Sequence, residues 1–202
     1  MKKLYVNIED IYIKGNPLLL TEVVTSMDVV LQKMSQSTEN VTAKVIKYSS
    51  TNKGKQYEKM VRTLLSLRNI LYESSIQLND MQNQIVAYQN KVLRYEGMTE
   101  SASLPNKHSV SKYNINVDIT ETKFRIQEMM ELSTCLNDYS ESIFYSTQNL
   151  IRNKNDASRF WQDTQYNDFA QFIDEIAQAV ISSLKIFGEY VSYLDEKIKE
   201  LS

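Results

Sequence analysis

The sequence predicts an all-α protein: two long antiparallel helical hairpins packed as an elongated four-helix bundle, with short extended segments before each hairpin. Three observations carry that expectation. The 202 residues include only 4 Gly and 2 Pro, too few turn formers for a β-sandwich or barrel. Apolar residues recur at alternating steps of three and four, the seam of a helix that buries one narrow face. The chain also resembles itself: residues 6–93 fall on 115–202 without a gap, and the apolar seams of the two windows share a phase.

The elements are taken in chain order. Asn16-Pro17 reads as a helix start, because Asn caps free N–H groups and Pro tolerates the first helical position. The first stripe runs Leu20, Val24, Met27, Leu31, Met34, Thr38, Val41, Val45 and Tyr48, and small and polar residues from Ser49 to Gly54 break it. The second runs from Tyr57 to Tyr95 with one polar interruption, Ser74, before Gly97 ends the helix. Residues 97–114, rich in Ser and polar side chains with Pro105, read as an exposed linker. Asp118 and Glu121 have capping-box spacing, so a third helix should run from there to about Arg152. Asn153 to Ser158 is the second break, and a fourth helix should begin at about Gln162. Helices of about 40 residues span roughly 60 Å at 1.5 Å per residue. The extended segments around Val6–Ile8 and Ile115–Val117 are expected to pair with each other. The implied organisation is a first hairpin repeat over 1–96, a linker over 97–114 and a second repeat over 115–202.

The repeat rests on position more than on identity, which holds at only 11 of 88 positions. Ser183 falls on Ser74, Ser146-Thr147 on Ser37-Thr38, Gln165-Tyr166 on Gln56-Tyr57, and the two interhelix breaks coincide. Charge divides between the halves: residues 1–96 carry 13 basic and 9 acidic side chains, net +4, and residues 97–202 carry 10 and 16, net −6. Opposite charge biases the halves toward each other rather than toward like copies.

The residues argue against catalysis. The single histidine, His108, lies in the polar linker, and the single cysteine, Cys135, lies mid-helix with no histidine in its half. A disulfide framework and a His-pair or Cys-rich metal site are excluded. No Walker loop, GxGxxG or HExxH occurs, so neither an enzymatic activity nor a cofactor is expected. Net charge is −2, and the basic run Lys44, Lys47, Lys53, Lys55, Lys59, Arg62 lacks an aromatic stacking platform, which speaks against nucleic acid. No apolar run is long enough to span a membrane, and Met1-Lys2-Lys3 opens no signal peptide because Asn7, Glu9 and Asp10 interrupt the stretch behind it. A cytoplasmic protein, or one exported without a cleavable signal peptide, is the expectation.

Contact residues for a protein partner are expected at the two breaks. Trp161, the only tryptophan, sits with Phe160, Tyr166 and Phe169 beside the second break, and Trp and Tyr dominate interface hot spots. The same cluster could instead staple two helices. Lys53 and Lys55 lie at the first break.

These residues resemble the WXG100, or ESAT-6-like, group of type VII secretion proteins, whose members are hairpins of two long helices joined by a Trp-x-Gly turn. The motif is divided here: Trp161-Gln162-Asp163 keeps the Trp, and the aligned Asn52-Lys53-Gly54 keeps the Gly. In that family two hairpins associate as an antiparallel four-helix bundle, which a tandem chain could build alone. The family's export signal, Tyr-x-x-x-Asp/Glu after the second helix, is not matched, since Tyr190 is followed at that spacing by Leu194 and Tyr193 by Lys197. The resemblance therefore implies an adaptor or chaperone-like partner of a larger secreted protein or toxin with a helical targeting domain. The competing expectation is a self-associating coiled-coil scaffold, of a mobile element or a cell-envelope assembly, with no secretion role.

Overall fold

The computed structural model describes residues 11–201. Four helices are formed: α1 Leu19–Tyr48, α2 Lys55–Tyr95, α3 Ile126–Ala157 and α4 Thr164–Leu201. Among the described residues the only strand-like pairings are two isolated bridges. The chain is an all-α four-helix bundle. Helix α1 packs on α2 and α3, α4 packs on the same two, and the backbones of the diagonal pairs stay apart.

Hydrogen bonds between helices fix their directions. Gln89 Nε2 donates to Pro17 O and Gln82 Nε2 to Val24 O, so α2 runs back along α1. Tyr166 Oη donates to Lys154 O, and Lys154 pairs with Asp174, so α4 runs back along α3. Ser37 meets Ser142 while Tyr48 meets Glu131, making α1 and α3 antiparallel. Tyr190 Oη reaches Gln56 O at the start of α2.

Burial matches the expected seams. In α1 the buried positions include Leu20, Val23, Met27, Val30, Met34, Thr38, Val41 and Tyr48. Adding 109 to each gives Met129, Leu132, Leu136, Tyr139, Ile143, Thr147, Leu150 and Ala157, all buried in α3. The same shift carries Met60, Leu64, Leu67, Leu71, Ser74 and Leu78 of α2 onto Phe169, Ile173, Ile176, Val180, Ser183 and Phe187 of α4, again all buried. Each such apolar side chain contributes about 1.5–3 kcal/mol on leaving water, so agreement at these positions favours one register.

Among the described residues, the segments before each hairpin form two bridges. Val6–Ile8, and with it the expected pairing, lies outside the described residues, and Ile115–Val117 forms no bridge to a described residue. Ile13 bridges to Trp161, and Lys123 bridges to Lys53. Each lead-in segment thus clasps the turn of the opposite hairpin, where free backbone groups need partners.

Two further expectations are corrected. Helix α3 begins at Ile126 rather than near Asp118, because Asp118 Oδ1 accepts the amide and hydroxyl of Thr120, an Asx turn, and Glu121 goes to Lys53. Helix α3 runs through the expected break to Ala157, and the chain turns over 158–163 instead. The stretch after α2 is mostly exposed, as expected, and it is also tied down along its length. Gly97 takes φ +71 with Met98 N on Leu93 O and Gly97 N on Arg94 O, a Schellman turn. From there the chain runs back along the first hairpin: Ala102 on Asn90, His108 O on Asn79, Val110 N on Ser75 and Ser111 O on Arg68. This strap seals Arg68, whose guanidinium also reaches Thr38 O, Thr42 and Glu39. His108 is half-buried, 3.6 Å from Asp28.

Candidate functional site

The two hairpin tips, residues 49–54 (tip 1) and 158–163 (tip 2), lie at opposite ends of the bundle. Tip 1 sits against the start of α3 and the end of α4. Tip 2 sits against residues 12–14 and the end of α2.

At tip 2 the Trp161 indole is 1 % exposed. It stacks on Tyr88 of α2 (centroids 5.8 Å apart, planes at 22°) and on Phe169 (5.4 Å, 24°), with Tyr166 edge-on at 5.8 Å. Its Nε1–H donates to Asp163 Oδ1 at 2.8 Å. Asp163 is buried and accepts from every side: Tyr166 N in the first turn of α4, Tyr12 N and the Tyr88 hydroxyl. A carboxylate at a helix N-cap is favoured by the free amides and by the helix dipole.

At tip 1 the corresponding residues are Asn52 and Gly54. Asn52 is fully buried, yet its amide turns toward α3: Nδ2 donates to Tyr48 O and Glu128 Oε2, and Oδ1 accepts from Arg125 N at 2.9 Å. Gly54 starts α2 at φ +104 with no side-chain cap, and its N–H donates to Asp118 O. Only glycine suits this position, since a Cβ would meet Thr122 Oγ1 at 3.2 Å and Glu121 O at 3.3 Å. Around them are carboxylates held below their ordinary range. Thr120 and then Lys53 bring Asp118 to about 2, the Thr51 hydroxyl lowers Glu128, and the Tyr48 hydroxyl lowers Glu131. The Tyr48 hydroxyl is pushed up to about 12 by the same hydrogen bond.

Beside tip 1 opens a groove of about 600 Å³, walled by α4 residues Tyr190, Tyr193 and Leu194 and by Phe124 and Ile126 on the opposite side. Lys53, Lys55 and Lys197 stand at its edge. Lys59 lies over the rings of Tyr190 and Tyr193, at 5.6 and 5.7 Å from their centroids.

The six expected contact residues divide accordingly. Trp161 and Phe169 are buried within the chain and offer a partner no surface, because the space beside Tyr88 is large enough to take the indole whole. Tyr166 and Phe160 are half-buried: the Tyr166 hydroxyl is spent on Lys154 O, and Phe160 O accepts from Lys14 N. Lys53 is half-buried and paired with Glu121 at 2.6 Å and Asp118 at 3.3 Å. Lys55 is exposed. Within the basic run, Lys53 is thus paired by acids of the second half, far off in sequence, and Arg62 by its neighbour Glu58. Cys135 is half-buried, and burial raises its thiol pKa.

The groove residues on α4 were not singled out from sequence. The available signal was a mismatch within the repeat: Tyr190 and Leu194 stay large while the residue opposite changes from Trp to Asn. Among the described residues no helix is long and apolar enough to cross a membrane, and no group of three acidic, His or Cys residues is placed to hold a metal ion. No family model, curated protein or solved structure matches the chain.

Proposed function

We propose that this chain is a non-enzymatic helical binding partner, adaptor or chaperone-like, for a larger protein of a type VII-like secretion or toxin system. The observation that carries the binding role is the open apolar groove at tip 1 with lysines on its edge. Its volume falls in the roughly 300–1,000 Å³ range of ligand-sized clefts. The secretion context is supported by the divided Trp-x-Gly motif: its two remnants occupy corresponding turns, with Trp161 and Asn52 both buried at the entrance to a second helix. The proposal locates its work in the cytoplasm, or outside after export with the partner and without a cleavable signal peptide.

A pull-down of the tagged chain from its native cells, identified by mass spectrometry, tests this reading. A stoichiometric larger protein with a helical region is the expected outcome. Recovery of the chain alone, at a self-associated mass, overturns it in favour of a scaffold. One observation favours that second reading: Phe144 and Tyr145 of the second hairpin are exposed at 43 % and 63 % beside Ile181 and Leu184 of α4, the kind of apolar patch that marks an interface.

A further inference from the structure

The groove at tip 1 and the Trp161 site at tip 2 are the same place in the two halves of the bundle. The small space left beside the buried Trp161 is lined by Met81, Gln84, Ile85, Tyr88 and Gln165. Adding 109 to the four α2 residues, and subtracting it from Gln165, gives Tyr190, Tyr193, Leu194, Lys197 and Gln56, and all five line the groove. The clasp recurs at the same place one residue along on each strand: Ile13 bridges Trp161 in one half, and Lys123 bridges Lys53, next to the equivalent Thr122 and Asn52, in the other. What differs is the plug. At tip 2 the indole leaves only about 10 Å³ of space, whereas Asn52 turns away toward Glu128 and the groove stays open at about 600 Å³.

The second missing piece is charge. Asp163 lies two positions after Trp161 and takes both the indole N–H and the first-turn amide of α4, and Gly54 in its place brings no carboxylate. The groove supplies positive charge instead. Lys55 and Lys59 are exposed, and neither has a carboxylate within ion-pair distance among the described residues.

We infer that the tip 1 groove is a socket for an aromatic side chain of another protein, with a carboxylate about two residues beyond it. The inference rests on the proposed binding-partner role and names the chemistry that partner presents. The aromatic ring fills the space between Leu194, Tyr190 and Phe124, as Trp161 fills its own site, and the carboxylate meets Lys55 and Lys59 at the mouth. The charge is the part that salt weakens.

The test uses the full chain and a fluorescent peptide copying residues 158–170, which carries Trp161 and Asp163 in the required order. Anisotropy should show saturable binding, with amide shifts at Gln56, Leu194 and Lys197 in ¹⁵N spectra. Replacing the peptide's tryptophan by alanine should weaken binding at least tenfold, and Lys55→Glu with Lys59→Glu in the protein should weaken it several-fold. Leu194→Trp, which plugs the groove from α4, should abolish it. If that variant loses helicity by circular dichroism, the exposed Lys55→Glu and Lys59→Glu pair decides alone. No binding, equal binding of the alanine peptide, shifts confined to tip 2, or self-association that occludes the groove each overturns the inference. A pull-down without partner alongside a binding peptide would sink the secretion role and leave the socket standing; the converse result would sink only the socket.

Discussion

Tips 1 and 2 hold corresponding positions in one bundle, yet they close the turn by different physics. Tip 2 uses a hydrophobic plug with a polar cap: Trp161 between aromatic rings, and Asp163 collecting donors around it. Tip 1 uses a hydrogen-bonded knot, with Asn52 tied to α3, a glycine in the left-handed region, and charged pairs outside. The lesson is that helix register can be shared while its ends diverge. Seam packing is set by burial along 30 or more residues, whereas a turn needs only satisfied backbone groups, which a ring-and-carboxylate cap or an amide network can both supply.

The largest expected difference comes from removing the plug. Trp161→Ala should cost about 3–5 kcal/mol, the usual range for emptying a buried aromatic site, and should orphan one acceptor position of Asp163. Urea unfolding monitored by circular dichroism measures it. A cost under about 1 kcal/mol would mean that the tip closes over the void, and the contrast between plug and knot would fail. The knot is expected to matter less. Asn52→Ala leaves Arg125 N and the Glu128 carboxylate short of a partner, a loss of about 1–3 kcal/mol. Asn52→Leu keeps the volume and should still be destabilising, which separates lost hydrogen bonds from lost packing.

Legibility in the sequence divides along the same line. The bundle, the buried seams and the register between the halves were legible, because periodic burial writes itself into residue spacing. The duality of Trp161, staple or anchor, was legible as a choice but not decidable. Nothing local shows that Tyr88, some 70 residues earlier, supplies a stacking partner. The clasp was missed for a related reason. Lys123 pairs with Lys53 through backbone groups alone, and backbone pairing between distant segments leaves no residue pattern at either. The Asp118 and Glu121 spacing misled because Lys53, far off in sequence, competes for both acids.

Two glycine substitutions sharpen the comparison with opposite signs. Gly54→Ala at tip 1 meets a positive φ and contacts of 3.2 and 3.3 Å, so it should destabilise by about 1–3 kcal/mol. Gly188 lies within α4, where an added Cβ would meet nothing within 4 Å. Gly188→Ala should therefore stabilise by about 0.4–1 kcal/mol, from better helix propensity and a less flexible unfolded chain. Thermal unfolding of the two variants beside the parent chain reads both signs. If both changes destabilise, α4 carries a close contact at Gly188 in solution, against the open space around that position.

Acid should give the smallest and most local effect, because it acts on the knot without emptying any core site. Asp118, Glu128 and Glu131 all have carboxyl groups held below their ordinary values by hydroxyl and amide donors. A carboxylate with a depressed folded pKa stabilises the fold above its unfolded pKa, and that contribution is lost as pH falls through the folded value. The window for Asp118 runs from its ordinary 3.8 down to about 2, and for Glu128 and Glu131 it opens below 4.5. Hydrogen-exchange protection factors, which remove the intrinsic pH dependence of exchange, should fall at Lys53, Gly54 and Arg125 across that window. Amides in the middle of α1 should keep theirs, since that segment is tied to its neighbours by apolar packing, by the Thr38 hydroxyl against Tyr139 of α3 and by the Thr42 hydroxyl, which accepts from Arg68 of α2. Protection at tip 1 that survives to the bottom of the window would show that the backbone bridge to Lys123 holds the turn without its carboxylates, making the acids decoration on the clasp rather than part of the knot.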